Sequence, residues 1–302
     1  MRVTGERRRL VKIVDTARQT WELVVPNPRG GDVFRKVIRA AEGGTQVSYD
    51  IRFERFGEGD REYTSVRHRH DFEQLRFAAF GRMDLGFDVL EEGDVGYFPA
   101  NAYYGPQRCA GALILVAQWG DRFITKEQSD GAVAELSKRG EFRDGIYRSV
   151  DERGHPYNKD PLNAIWEQVY GEPYKPQHPR YKQPVLITPA AFGWSEGEGA
   201  TRRRRLGVFT ENGLAVESVQ WHESGSFEVP ASEDDRRPTF LFTTAGNFAY
   251  NGQDFGLYTG VWADSGEGVR LEGTEGSELL MVRFPEPSSR ITLGLSAEPA
   301  NV

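Results

Sequence analysis

Short runs of alternating apolar and polar residues, separated by glycine-containing turns, recur along most of this 302-residue chain. In the first half they lie at 46–56, 73–80, 82–89, 94–98 and 112–119. A run with a period of two is typical of a half-buried strand. Short strands that recur every 8 to 12 residues, roughly, indicate a sandwich or barrel. The 34 Gly and 16 Pro residues agree with many turns and short elements. We therefore predict an all-β fold.

A second β-rich block begins near Arg205. Predicted strands at 206–210 and 214–221 flank Asn212-Gly213, a pair that tolerates the positive φ angles of a tight hairpin. Further predicted strands lie at 239–244, 247–251, 258–262, 269–272 and 278–284, and Asn251-Gly252 predicts another hairpin. The chain therefore has the pattern of a duplicated β-barrel.

The sequence between the two blocks favours helices. Thr125 and Gln128 have the spacing of a capping box, and Asp160-Pro161 is a typical start for a second helix. A proline-rich connector follows, which we interpret as a linker across the surface. We expect an N-terminal barrel at 1–122, a helical insert with its linker at 123–200, and a C-terminal barrel at 201–302.

Charge and composition argue against several function classes. The net charge of −7 disfavours binding of nucleic acid or anionic membranes, and no apolar run approaches the length of a membrane span. The basic N-terminus lacks the apolar core of a signal peptide. Cys109 is the single cysteine and has no partner for an intrachain disulfide. We expect a cytoplasmic protein whose partner is a small molecule.

Two of the five histidines, His68 and His70, are separated by a single residue at the start of a predicted strand. Side chains alternate along a strand, so His68, His70 and Gln74 are predicted to share one face. Arg76 has the same parity and is also expected to face the interior. Two imidazoles and an oxygen donor on one wall of a barrel suit a divalent transition metal.

The spacing His68-x-His70-x3-Gln74-x6-Gly81 resembles the first motif of the cupin superfamily, in which two histidines and a Glu or Gln bind a metal. This resemblance implies a double-stranded β-helix, or jelly-roll, barrel. It also implies that His68, His70 and Gln74 are metal ligands. Fe(II) is the preferred metal, with Zn, Mn and Ni as alternatives.

The stretch Gly93-x5-Pro99-x-Asn101-x2-Tyr104 is similar to the second cupin motif, but it has Tyr104 where the fourth ligand, a histidine, normally stands. A phenol has a reference pKa of about 10 and must lose its proton to become a good ligand. Tyr104 is therefore predicted to be either a fourth ligand or a neighbouring acid or base. The alternative is a metal-free barrel in which both histidines are hydrogen-bonded interior groups.

Superposing Gly246 on Gly81 places Glu233, Asp235 and Thr239 at the positions of the two histidines and Gln74. No histidine is available there. The whole chain thus resembles a bicupin whose C-terminal barrel keeps the fold but has lost the ligands. The resemblance also suggests homodimers.

The resemblance implies a metal-dependent enzyme that acts on a small oxygenated molecule, with a dioxygenase-like oxidoreductase preferred. One alternative is a metal-free isomerase, epimerase or lyase that uses His and Tyr as base and acid. Another is a non-catalytic ligand-binding bicupin.

Arg76 is expected either to bind a substrate carboxylate or to form an internal ion pair with a carboxylate of the barrel. Tyr49, Phe53 and Phe80 predict that the rest of the interior is apolar and aromatic. Such a lining suits an aromatic or polyketide-like ligand.

Overall fold

The computed structural model describes residues 11–25, 27, 31–42, 47–58, 61–121, 124–232 and 234–286. The chain divides into two compact units. The N-terminal unit is Thr20–Thr188, and the C-terminal unit joins the residues up to Gln19 with those from Pro189 onward. The sequence instead predicted boundaries at 122/123 and 200/201. The difference arises because the helices pack with the first barrel, whereas the strand at Lys12–Asp15 pairs with a C-terminal strand.

Strands are numbered along the chain. Those of the N-terminal unit are β2 (Glu22–Leu23), β3 (Val33–Arg39), β4 (Ser48–Phe56), β5 (Tyr63–Ser65), β6 (Glu73–Phe80), β7 (Met83–Asp84), β8 (Val89–Leu90), β9 (Val95–Phe98), β10 (Gln107–Cys109), β11 (Ala112–Gly120), β12 (Gly140–Arg143), β13 (Ile146–Val150), β14 (Pro156–Lys159) and β15 (Val185–Ile187). The C-terminal unit has β1 (Lys12–Asp15), β16 (Ser195–Glu196), β17 (Thr201–Phe209), β18 (Leu214–Trp221), β19 (Gly225–Val229), β20 (Thr239–Ala245), β21 (Phe248–Tyr250), β22 (Gln253–Phe255), β23 (Thr259–Ala263), β24 (Val269–Gly273) and β25 (Glu278–Arg283). Short 3₁₀ turns lie at Thr16–Arg18 and Pro189–Ala191.

The N-terminal barrel consists of two antiparallel sheets. One has seven strands in the order β15-β9-β6-β11-β4-β3-β2, and the other has four in the order β5-β10-β7-β8. Strands β4, β6 and β11 at its centre match the predicted runs to within two residues. The predicted strand at 82–89 is split into β7 and β8 by Gly86. This glycine has φ of 80° and lies so close to the backbone of Gly105 that a Cβ would clash.

Two helices follow the first barrel. Helix α1 (Lys126–Leu136) begins at the predicted capping box of Thr125 and Gln128, and helix α2 (Pro161–Tyr170) is capped by the Asp160 side chain. They pack on each other through a small apolar cluster that includes Val133, Leu136 and Ile165. The antiparallel hairpins of β12, β13 and β14 come between the two helices in the sequence, and they were not predicted. Within the described ranges, no helix combines the length and apolar character needed to cross a bilayer.

The C-terminal barrel repeats this plan. A seven-stranded sheet has the order β1-β23-β20-β25-β18-β17-β16, and a four-stranded sheet has the order β19-β24-β21-β22. The predicted hairpin at Asn251-Gly252 forms a two-residue turn between β21 and β22, with φ of 51° and 78°. The predicted all-β fold, with two barrels and a helical insert, is confirmed.

The central strands of the two barrels share one register. Gln74 on β6 pairs with Gln118 on β11, and Thr239 on β20 pairs with Arg283 on β25. The differences 239 − 74 and 283 − 118 are both 165 residues. The same offset relates the pairing of β4 with β11 to that of β18 with β25. Interior positions of the two barrels can therefore be compared one by one.

Candidate functional site

A cavity of about 270 Å³ lies in the N-terminal unit. Its barrel wall contains both histidines of the first motif together with Gln74 and Arg76. The helical segment supplies another wall, which includes Leu162, Ile165, Trp166 and Tyr174. The sequence placed the connector that carries Tyr174 on the surface, so it missed the part of this residue in lining the cavity.

Hydrogen bonds of both its main chain and its imidazole ring fix the position of His68. Its main chain forms a two-way bridge with Tyr104, with N–H···O distances of 2.9 and 3.0 Å. Its Nδ1 lies 2.7 Å from the carbonyl oxygen of Val66. A carbonyl only accepts hydrogen bonds, so Nδ1 carries the hydrogen and Nε2 carries the lone pair. Metal-binding histidines are typically oriented in this way.

His70 and Tyr104 meet through their polar atoms. The Nε2 of His70 is 2.7 Å from the Tyr104 hydroxyl, and the His70 ring stacks on Phe72 at a centroid distance of 4.5 Å. The ring of His68 is 5.1 Å from that of His70 and 4.4 Å from that of Tyr104. Tyr104 is 2% exposed and reaches this cluster from behind the cavity wall.

Arg76 bonds only to neutral acceptors. Its Nε donates to Oε1 of Gln74 at 2.6 Å, and its Nη2 donates to the Tyr104 hydroxyl at 3.2 Å. Its Nη1 lies 3.2 Å from the sulfur of Met83, and the guanidinium stands over the ring of Phe98. Arg76 is 5% exposed. Among the residues that the structure describes, no carboxylate oxygen lies within 4.0 Å of its guanidinium.

The internal ion pair that the sequence left open for Arg76 is therefore not formed. The nearby carboxylates of β4 are engaged by another arginine. Asp50 receives two hydrogen bonds from Arg52, and Glu54 lies 3.8 Å from the same guanidinium. Burial raises the pKa of Glu54, and the charges of Arg52 and Arg76 oppose that rise only in part. The wall formed by β4 is thus charged and not apolar.

The prediction of an aromatic interior is wrong in detail. Arg52 and Glu54 line the cavity, whereas Tyr49 and Phe53 are buried on the other face of β4. Phe80, at the end of β6, is 55% exposed. The period of two separates the faces of a strand, but both faces of β4 are buried. The pattern alone therefore does not tell which face lines the cavity.

The connector after α2 fastens the helical wall to the barrel. The Tyr174 hydroxyl donates to Oδ1 of Asn101 at 3.0 Å, and burial raises the pKa of this phenol, which keeps its proton in place. Tyr174 also packs edge-on against Trp166. Further along, Arg180 forms an ion pair with the buried Glu73. No local pattern marks these contacts, because they join residues far apart in the sequence.

Gln107 is a further polar residue of the cavity wall that the sequence missed. It is 1% exposed, accepts a hydrogen bond from Ser65 at 3.1 Å and places Nε2 3.1 Å from the sulfur of Met83. It follows Gly105-Pro106 directly after the second motif. Its position three residues after Tyr104 was the one feature of the sequence that could have pointed to it.

Solved structures superpose on almost the whole chain. A candidate dioxygenase from Nostoc punctiforme is 12% identical, with a TM-score of 0.59, over 97% of this chain and 88% of that one. Streptomyces albus HEPD, with 2-hydroxyethylphosphonate and Fe(II) bound, is 13% identical, with a TM-score of 0.53, over 97% and 81%. A candidate glyoxylate-induced protein from Pseudomonas aeruginosa is 12% identical, with a TM-score of 0.53, over 98% and 96%. No protein-family model and no curated protein matches the sequence.

The chain has a cupin fold. In its N-terminal cupin barrel, the motif positions bring His68, His70 and Tyr104 into one cluster, with Gln74 joined to it through Arg76. The orientation of His68 fits a metal ligand. Nε2 of His70 is hydrogen-bonded to the Tyr104 hydroxyl at 2.7 Å, so a divalent metal at His70 would have to replace that bond. The donors are neutral, however. Across the described ranges, no three His, Cys, Asp or Glu side chains group in a way that could hold a metal ion.

The C-terminal cupin barrel has a different interior. Leu241 stands at the position equivalent to Arg76, and it is 1% exposed. Asp235 pairs with Arg237 at 2.9 Å and with Arg283 at 3.2 Å, and the hydrogen bonds from Arg237 lower the pKa of this carboxyl. Glu233 lies outside the described residues. Of the two acidic residues that the sequence aligned with the histidines, the described one, Asp235, is thus ion-paired with arginines.

Proposed function

We propose that the N-terminal barrel is a metal-dependent enzyme site that acts on a small oxygenated molecule, with dioxygenase-like oxidation as the preferred reaction. His68, His70 and Gln74 would hold the metal, with Fe(II) as the first choice. The observation that carries this proposal is the convergence of His68, His70 and Tyr104 beside a cavity. The Fe(II) in HEPD and the name of the Nostoc protein support it.

The chemistry that a bound divalent metal supplies here is polarisation of a substrate carbonyl or activation of dioxygen. The remaining tasks belong to the chain. Leu162, Ile165 and Trp166 give the cavity one apolar wall. Gln74 is oriented by its hydrogen bond from Arg76.

Tyr104 is proposed to hold the proton of the site. Arg76 can only donate, so we assign the phenol hydrogen to the bond with Nε2 of His70. Nε2 has one lone pair, and it cannot bind a metal and accept this hydrogen bond at once. If His70 held the metal, the Tyr104 hydroxyl would lose this hydrogen bond and could donate to a ligand or to the substrate instead.

The same 2.7 Å contact favours a second candidate. His70 and Tyr104 would form a base and acid pair beside the cavity. A metal-free isomerase, epimerase or lyase needs such a pair. In that reaction Arg76 would position the phenol.

Metal content separates the two candidates. We expect about one divalent ion per chain in the purified protein, and loss of that ion in His68→Ala and His70→Ala, since each change removes one ligand. His155→Ala is the matched control, because the His155 side chain is 72% exposed and pairs with Asp151 outside the cavity. Wild-type protein that takes up no Fe, Mn, Zn or Ni on reconstitution would overturn the metal proposal and leave the acid–base one.

A further inference from the structure

Arg76 is a buried cation with spare donors. A guanidinium has five N–H groups. In Arg76 three of the five meet Gln74, Tyr104 and Met83, which leaves one on each terminal nitrogen. A buried charge is costly unless an opposite charge accompanies it. The described part of the barrel provides no such partner within ion-pair distance of Arg76.

The cavity around Arg76 carries an excess of positive charge. Its basic residues are Arg35, Arg52, Arg69, Arg76 and Lys126. Its acidic residues are Glu54, Asp71 and Asp130. In addition, Nε of Arg35 is buried without a hydrogen-bond partner. This excess is found in a chain whose net charge is −7, so it is a local feature and not a reflection of composition.

We infer that the cavity binds a small monocarboxylic acid with an apolar body, and that Arg76 holds its carboxylate. Two donors on adjacent terminal nitrogens match the two oxygens of a carboxylate. A single negative charge balances the single unpaired guanidinium, whereas a dianionic phosphate would meet the nearby Glu54. Trp166, Ile165 and Leu162 on the helical wall suit the apolar body. This inference rests on the proposed use of the cavity as a substrate site, but it does not depend on the metal.

The test uses benzoate and its neutral analogue benzamide as probes. Binding to the full-length protein is measured by calorimetry, before and after treatment with a chelator. We expect benzoate to bind at least 10-fold more tightly than benzamide in both preparations. Arg76→Gln should weaken benzoate binding by roughly 10- to 100-fold, as expected for a charge-assisted hydrogen bond, and should leave benzamide binding unchanged. His155→Ala should behave as wild type.

Arg76→Lys keeps the charge with fewer donors, so its benzoate affinity should fall between those of wild type and Arg76→Gln. Circular dichroism checks that each variant is folded, and the wild-type comparison of the two probes stands even where a variant does not fold. Equal affinity for benzoate and benzamide would overturn the inference. So would benzoate binding that is lost on chelation, because the metal would then hold the carboxylate. Protein that takes up no metal on reconstitution and still selects benzoate through Arg76 would instead refute the metal proposal alone.

Discussion

The two barrels have the same strand order, and their central strands have the same register, yet their interiors differ in chemistry. Position by position, Arg76 corresponds to Leu241 and Glu54 to Val219, and all four side chains are buried. The N-terminal barrel surrounds a charged cavity, whereas the equivalent side chains in the C-terminal barrel belong to one apolar cluster. The cupin fold therefore does not require the polar residues of the first barrel, and these residues are explained better by a function than by stability.

The comparison also bears on Tyr104, which the 165-residue spacing in sequence relates approximately to Val269. Val269 is 3% exposed and packs in the apolar cluster of the second barrel. We propose that the second barrel is a cupin barrel without a metal site and has a structural role.

The largest effect is expected when the interior charge of the first barrel is moved to the second. Leu241→Arg would place a guanidinium among apolar side chains with no acceptor prepared for it. An uncompensated buried charge costs about 3 to 5 kcal/mol. We expect the free energy of unfolding in urea to fall by that amount, with Leu241→Met as a volume-matched control. A loss similar to that of the Met variant would show that the second barrel also tolerates charge.

A smaller effect is expected for Tyr104→Phe. The change removes the hydroxyl that meets His70 and Arg76, and we expect it to cost about 1 to 3 kcal/mol of unfolding free energy. Tyr103→Phe is the control, because Tyr103 is the neighbouring residue and is 39% exposed.

The same variant separates the roles of Tyr104. Because we place Tyr104 beside the metal as a proton donor, we expect metal content to survive in Tyr104→Phe, while turnover falls by roughly 10²- to 10⁴-fold once a substrate is known. Loss of the metal would make Tyr104 a ligand. A charge-transfer band in the oxidised iron protein that disappears in Tyr104→Phe would give the same answer.

The smallest effect concerns the acid stability of the C-terminal barrel. The pKa of Asp235 is lowered by its hydrogen bonds with Arg237, so this carboxylate stabilises the fold above its unfolded pKa of about 4. That contribution is lost as the pH falls through the lower folded pKa. Asp235→Asn should therefore be less stable than wild type at pH 7, and this difference should shrink as the pH falls below about 4. Asp234→Asn, at the exposed neighbouring position, is the control, and a constant difference across this range would contradict the assignment.

The sequence by itself determined the strands at the centre of both barrels and the starts of both helices. The capping box at Thr125 and the positive φ angles at Asn251-Gly252 depend on a few neighbouring residues, so local patterns were enough to find them. His68, His70 and Gln74 do line one wall, but not by alternation along one strand as predicted. Strand β6 begins at Glu73, and His68 is placed by an isolated bridge to Tyr104.

Only the tertiary structure decided what surrounds that wall. It turned Arg52 and Glu54 of β4 into the cavity and Tyr49 away from it, a choice that the period of two leaves open when both faces are buried. It also brought Tyr174 to Asn101 and left Arg76 without a carboxylate in ion-pair range within the described residues. These outcomes depend on strand pairing and chain closure between distant segments, and such long-range contacts leave no periodic signal in the sequence.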